Sequence, residues 1–138
     1  MSYVNINWLT VIAATIVNMV IGGLWYSPVL FGKQWMKLVG ISQKEIESQK
    51  KEMPKFYLAA FVAAFITAYV LAIFVKFVGA STIFSGAVVG FWAWLGFVAT
   101  TTLSLVIWEK RNSNLYVLIN GQILISLVVM GVILAVWP

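Results

Sequence analysis

The sequence predicts an all-α fold, a transmembrane four-helix bundle with a short surface helix between its first two spans. Three observations predict it: four apolar runs of membrane-crossing length, almost no charge within them, and lysines and arginines crowded to one side. Of 138 residues, 62% are hydrophobic and 9% charged, with a mean hydropathy of +0.98. A soluble domain carries about 25% charged residues and, at this size, buries only about 60–70% of its unfolded surface. Lipid removes that difficulty by solvating the outward faces. The expectation is one transmembrane domain over residues 1–138.

The first run, residues 6–26, is broken only by Asn7, Thr10, Thr15 and Asn18. About 20 helical residues cross the roughly 30 Å hydrocarbon core. No basic residue precedes the run, so it reads as a retained helix rather than a signal peptide. The second run covers 56–78, and Ser81 or Thr82 then stands ready to cap the third. That third run, 83–108, would be roughly 39 Å long, which predicts tilt or a bend. The fourth covers 115–137.

Basic residues set the orientation. Lys33, Lys37, Lys44, Lys50, Lys51 and Lys55 lie in the first loop, Lys110 and Arg111 in the third, and Lys76 alone on the other side. The positive-inside bias makes the basic side cytoplasmic and sends both termini outward. Trp25, Tyr26, Tyr57, Trp108 and Tyr116 would mark the inner interface, with Trp8 and Trp137 at the outer one. Within the cytoplasmic loop 28–55, Ser42 and Glu45 have capping-box spacing, and Ile41 and Ile46 that of a hydrophobic staple. Glu47 and Lys51 are spaced as a helical ion pair, and Pro54 marks an end. The reading is a surface helix over 42–53.

The chain has no cysteine and no histidine. This removes the usual ligands of zinc, copper, haem and iron–sulfur clusters, and with them thiol nucleophiles and imidazole bases. No phosphate-binding loop or nucleophile elbow is present. The acids Glu45, Glu47, Glu52 and Glu109 all lie outside the span interiors, whereas ion-coupled transporters keep an ionisable residue within the membrane. The expectation is a non-enzymatic protein with no cofactor, no metal and no catalytic residue. A net charge of +5 fits orientation and attraction to anionic lipid better than nucleic acid, for which no motif appears.

Three groups of residues remain as candidates. Asn18, Thr100, Thr101, Thr102, Asn120 and Gln122 fall within about 7–12 Å of the inner interface by helical rise, and would form one polar layer as interhelical glue or as a site, unless the threonine hydroxyls bond back to their own helix. Trp92 and Trp94, deep in span three, need partners for their indole N–H groups. Tyr69 at similar depth would complete an aromatic cavity. Trp25, Tyr26, Ser27, Pro28 and Trp35 form an elbow at the interface, where the proline ends or kinks the helix. Small residues at Ala14, Asn18 and Gly22, and at Gly86 and Gly90, predict close helix approach within one chain or between two copies. A loose echo of Tyr57, Thr67 and Ala72 in Tyr116, Ser126 and Gly131 hints at a duplicated hairpin.

The elbow is also the most specific part of a resemblance. Gly23-Leu24-Trp25-Tyr26-Ser27-Pro28, Phe31-Gly32 and Trp35-Met36 carry it, with Gly90-Phe91-Trp92, Leu95-Gly96-Phe97 and Trp108-Glu109. With them the chain resembles a prokaryotic family of small four-helix membrane proteins catalogued as a domain of unknown function, the DUF1761 family. The resemblance implies four spans and an inner-membrane home, and no activity. The leading functional reading is a lipid- or partner-binding membrane protein, possible as a homo-oligomer or beside another membrane protein. The alternative is a small transporter or channel for a small solute, and a lipid-modifying enzyme is the third.

Overall fold

The computed structural model describes residues 5–137. Four helical segments in it are long and apolar enough to cross a membrane. The first, α1 (Trp8–Trp25), starts where the Asn7 side chain accepts the Leu9 N–H at 3.1 Å, supplying a donor-starved helix end with an acceptor. The second, α4 (Met53–Val78), closes on Gly79 with φ 78°, the left-handed cap that glycine adopts without a Cβ penalty.

The third span is not one regular helix. It runs as α5 (Ile83–Trp94), a π-helical segment over Leu95–Ala99, and α6 (Thr100–Ile107). Thr82 caps it in a reciprocal box with Ser85, which selects between the two predicted caps. A wider π turn leaves carbonyls poorly served by the backbone ladder, and hydroxyls come to them. Thr100 donates to Gly96 O, Thr101 to Phe97 O, Thr102 to Val98 O, and the Tyr116 hydroxyl to Ala99 O at 2.7 Å. The fourth span is α7 (Ser113–Val136), capped by Asn112.

Between the first two spans lie α2 (Gly32–Val39) and α3 (Gln43–Ser48). The predicted helix over 42–53 is corrected here. Ser42 does cap α3, accepting from Glu45 N–H, but the helix stops at Ser48 and a 3-10 turn, Lys50–Glu52, follows. Proline supplies the reason. Pro54 has no N–H to give the Lys50 carbonyl, which the Met53 N–H takes instead. Pro54 therefore sits in the first turn of α4, where no donor is required of it. With α3 ended, Glu47 and Lys51 lose their helical spacing. Among the described residues the ion pair that forms is Arg111–Glu109, at 3.0 Å and solvent-exposed. Helix α2 was not predicted, although Phe31, Trp35 and Leu38 recur at helical spacing among Lys33, Gln34 and Lys37.

Helix α7 is the centre of the bundle and packs on α1, α4, α5 and α2. Glycines set its approach to α5. A Cβ on Gly86 would collide with the Gly131 carbonyl, one on Gly90 with the Leu127 carbonyl, and one on Gly131 with the Gly86 carbonyl. The Gly86–Gly90 pair thus serves packing within one chain, which settles the alternative left by its spacing. Val11 and Ala14 of α1, Ala68, Leu71, Ala72 and Val75 of α4, and Met130 and Leu134 of α7 form the hydrophobic core. All lie in the half of the bundle that holds the start of α1, the end of α7 and Lys76. We call this the terminal end. The other, which carries α2, α3 and the turn after α6, is the basic end.

Candidate functional site

At the basic end the bundle opens. Beyond the core, α1, α4 and α7 diverge around a cleft of about 790 Å³. Asn18, Met19 and Gly22 line it from α1, Ala60, Ala63 and Thr67 from α4, and Gln122, Ser126 and Met130 from α7. Val98 of the π segment reaches its wall, and Tyr26, Trp35, Ile46 and Tyr57 ring the mouth. No acidic or basic side chain lines it. Alanines and glycines make the space: at Gly22 even a Cβ would sit 3.8 Å from Gln122 Nε2.

The cleft's polar groups are carboxamides and hydroxyls. Gln122 Nε2 donates to Ser126 Oγ at 2.8 Å, and the Thr67 hydroxyl bonds back to Ala63 O. Asn18 is part-buried and is the polar residue of α1 that the cleft receives. Asn120 belongs elsewhere. Only 4% exposed, it donates to Thr102 Oγ1 and Tyr116 O, both at 3.2 Å. Its Oδ1 has no partner and it lines a separate cavity of about 100 Å³ with Thr102, Arg111 and Asn112.

The six residues of the expected polar layer therefore do not meet. Asn18 and Gln122 share the cleft, Thr102 and Asn120 form a second pair, and Thr100 and Thr101 are exposed. Rise along a helix gives depth but not direction. At about 100° per residue, Asn120 and Gln122 point to nearly opposite sides of α7.

The same argument separates the expected aromatic cavity. Trp92 is 61% exposed, while Trp94 is part-buried with its Nε1 unpartnered. Tyr69 stacks on Trp8 at 5.5 Å, in the terminal half.

The elbow residues do come together, as a folded joint. Trp25 Nε1 donates across to the Leu118 carbonyl of α7 at 3.0 Å. Its ring fits because residue 121 is glycine, where a Cβ would lie 3.1 Å from Trp25 Cζ2. Ser27 Oγ donates to Leu24 O, and the Gly32 N–H returns to Ser27 O at 2.8 Å. Tyr26 meets Trp35 edge-on at 5.6 Å, and Trp25 meets Phe31 at 4.6 Å. These contacts hold α2 against the basic end, where Lys37 and Leu38 border a further cleft of about 760 Å³ beside Asn114 and Val117. Pro28 is exposed in the turn.

Sequence reasoning singled out Asn18 and Gln122 but not the cleft between them. The available signal was the spacing of four residues in Asn18–Gly22 and Gln122–Ser126, a polar or small stripe on each of two helices. The stripe Ala64, Ala68 and Ala72, whose members are all buried, runs from the floor of the cleft, which Ala64 lines, into the core.

Fold and cleft together define a four-span α-helical membrane protein with an uncharged cleft open at its surface. More particularly, the chain belongs to the family described as protein of unknown function (DUF1761), whose model matches residues 9–135. No curated protein and no solved structure matches it.

Proposed function

We propose that this is a non-enzymatic membrane protein that holds one lipid-like amphiphile in the cleft between α1, α4 and α7. The observation that carries the reading is the contrast within one bundle, a closed hydrophobic core in the terminal half and an uncharged recess of about 790 Å³ in the basic half. Recesses of about 300–1,000 Å³ with few polar groups suit ligands of this kind. Aromatic side chains at the mouth suit a position at the headgroup level.

The protein is proposed to sit in the cell membrane with its basic end in the cytoplasm and both termini outside. The lysines of residues 33–55 support this by the positive-inside bias, and would draw anionic lipid to the surface around the mouth. A transport path would have to cross the core at Val11, Ala14 and Met130, each fully buried. That favours binding over conduction.

The test is mass spectrometry of the full chain released from membranes in mild detergent. The native protein should carry one bound lipid-sized species. Ala60→Trp, which projects an indole into the cleft from an exposed position, should lose it at unchanged thermal stability. A native protein with no bound species, or a dimer whose second copy fills the cleft, would overturn the reading.

A further inference from the structure

We infer that the ligand of this cleft is a neutral amphiphile whose hydroxyl or carbonyl head lies between Asn18 and Gln122, inside the hydrocarbon layer. The inference rests on the proposed reading that the cleft holds an amphiphile, and it names the chemistry of that molecule. Asn18 comes from α1 and Gln122 from α7, and both line the same recess. Gln122 Nε2 approaches Gly22, which is one helical turn from Asn18 on α1.

Their hydrogen-bonding capacity is largely unspent. A carboxamide offers two N–H donors and a carbonyl acceptor. The Asn18 side chain makes no hydrogen bond to any described residue, and Gln122 uses one N–H on Ser126 Oγ. The carbonyl oxygen of Gln122 accepts none from the protein. Polar groups removed from water are normally paired, so two open carboxamides lining one membrane recess call for a guest that donates and accepts.

Depth and charge decide which guest. Asn18 lies about 10 Å along α1 from Trp25, and Trp25 stands at the basic end beside the elbow. A phosphate or carboxylate taken to that depth would be stripped of water with no cation to meet it, because no lysine or arginine lines the cleft. Lys33, Lys37, Lys50, Lys51 and Lys55 lie in or next to the segment that leads from the elbow into α4. They mark the surface as anionic-lipid territory and leave the recess to something else. A hydroxyl, ester or quinone-type carbonyl satisfies the two amides with no ionic cost, and the walls from Met19, Ile123, Leu127 and Met130 suit its chain.

Two photoreactive probes of one chain length separate the possibilities: a diazirine-bearing hexadecanol and the matching hexadecyl phosphate. Each is applied to the full-length protein in lipid nanodiscs, and the labelled peptides are mapped. The alcohol should label the cleft walls of α1, α4 and α7, and excess unlabelled hexadecanol should displace it. Asn18→Leu should cut that labelling about fivefold, the equivalent of one net hydrogen bond, while Asn18→Gln keeps most of it. Thermal stability in both variants should match the native protein, since Asn18 bonds to no described residue.

If the phosphate labels the cleft as strongly as the alcohol, or Asn18→Leu leaves alcohol labelling unchanged, the neutral-head inference is overturned and the amphiphile reading stands. If neither probe labels the cleft, both are overturned.

Discussion

At the terminal end, α5 and α7 meet glycine against backbone, and alanines let α4 close on α1. At the basic end the same small residues do the opposite. Ala60 and Ala63 of α4 face Gly22 and Gly23 of α1 across open space. The difference lies in what each small residue meets. Gly86, Gly90 and Gly131 each have a carbonyl where a Cβ would be, whereas Gly23 has no atom within 4 Å of that position. A small residue in a membrane helix is therefore not by itself a packing signal. It is one only when a partner backbone fills its place.

Substitutions at glycine sharpen this comparison most. Gly131→Leu should be the most damaging single change, because the side chain would force α5 and α7 apart at their closest contact. The expected loss is about 3 kcal/mol or more, read as thermal unfolding in detergent. Gly23→Leu, with open space around it, should leave stability unchanged by the same measurement. A comparable loss at both positions would break the distinction.

The elbow ranks next. A Cβ at Gly32 would lie 2.5 Å from the Tyr26 carbonyl oxygen and 2.7 Å from that of Ser27. Gly32→Ala should cost about 1–3 kcal/mol and loosen α2, so that trypsin cuts at Lys33 and Lys37 in the otherwise folded protein. Trypsin resistance equal to the native chain would count against a rigid joint.

Polar residues give smaller effects. Asn120→Leu removes two hydrogen bonds, each worth about 0.6 kcal/mol in a membrane, and should cost about 1 kcal/mol in a chemical or thermal melt. Asn18→Leu removes none to the described residues and should cost nothing measurable. One substitution should bring a gain. Lys110 holds φ 54°, a conformation that favours glycine. Lys110→Gly should add about 0.5–1 kcal/mol, provided the turn in which Arg111 N–H reaches Leu105 O is kept.

The four spans were legible because a bilayer demands long apolar runs and forbids unsatisfied backbone, which leaves few alternatives. Caps were legible for a similar reason: Thr82 and Ser42 sit where a helix must begin. The π segment was not, since nothing in Leu95–Ala99 forbids a regular helix. Its trace lies downstream, in the consecutive threonines that cap its carbonyls. Helix α2 was overlooked within the polar stretch 28–55, although Trp35 and Leu38 gave it an apolar side. For the site, depth along each span and the angle between residues of one helix were computable, but not which side of each span meets which neighbour. Asn18 and Gln122 therefore stood in the right stratum beside Asn120 and the threonines, which turn elsewhere.

The chain contains no cysteine, so single introduced thiols report their own positions. The most direct test of the two-halved bundle compares one residue type along one helix: Ala60→Cys and Ala63→Cys against Ala68→Cys and Ala72→Cys, each challenged with a lipophilic maleimide in mild detergent. Asn18→Cys against Ala14→Cys repeats the comparison on α1. Thiols at 60, 63 and 18 should react readily, and those at 68, 72 and 14 should stay protected until the protein unfolds. Equal reactivity along each helix would contradict the account.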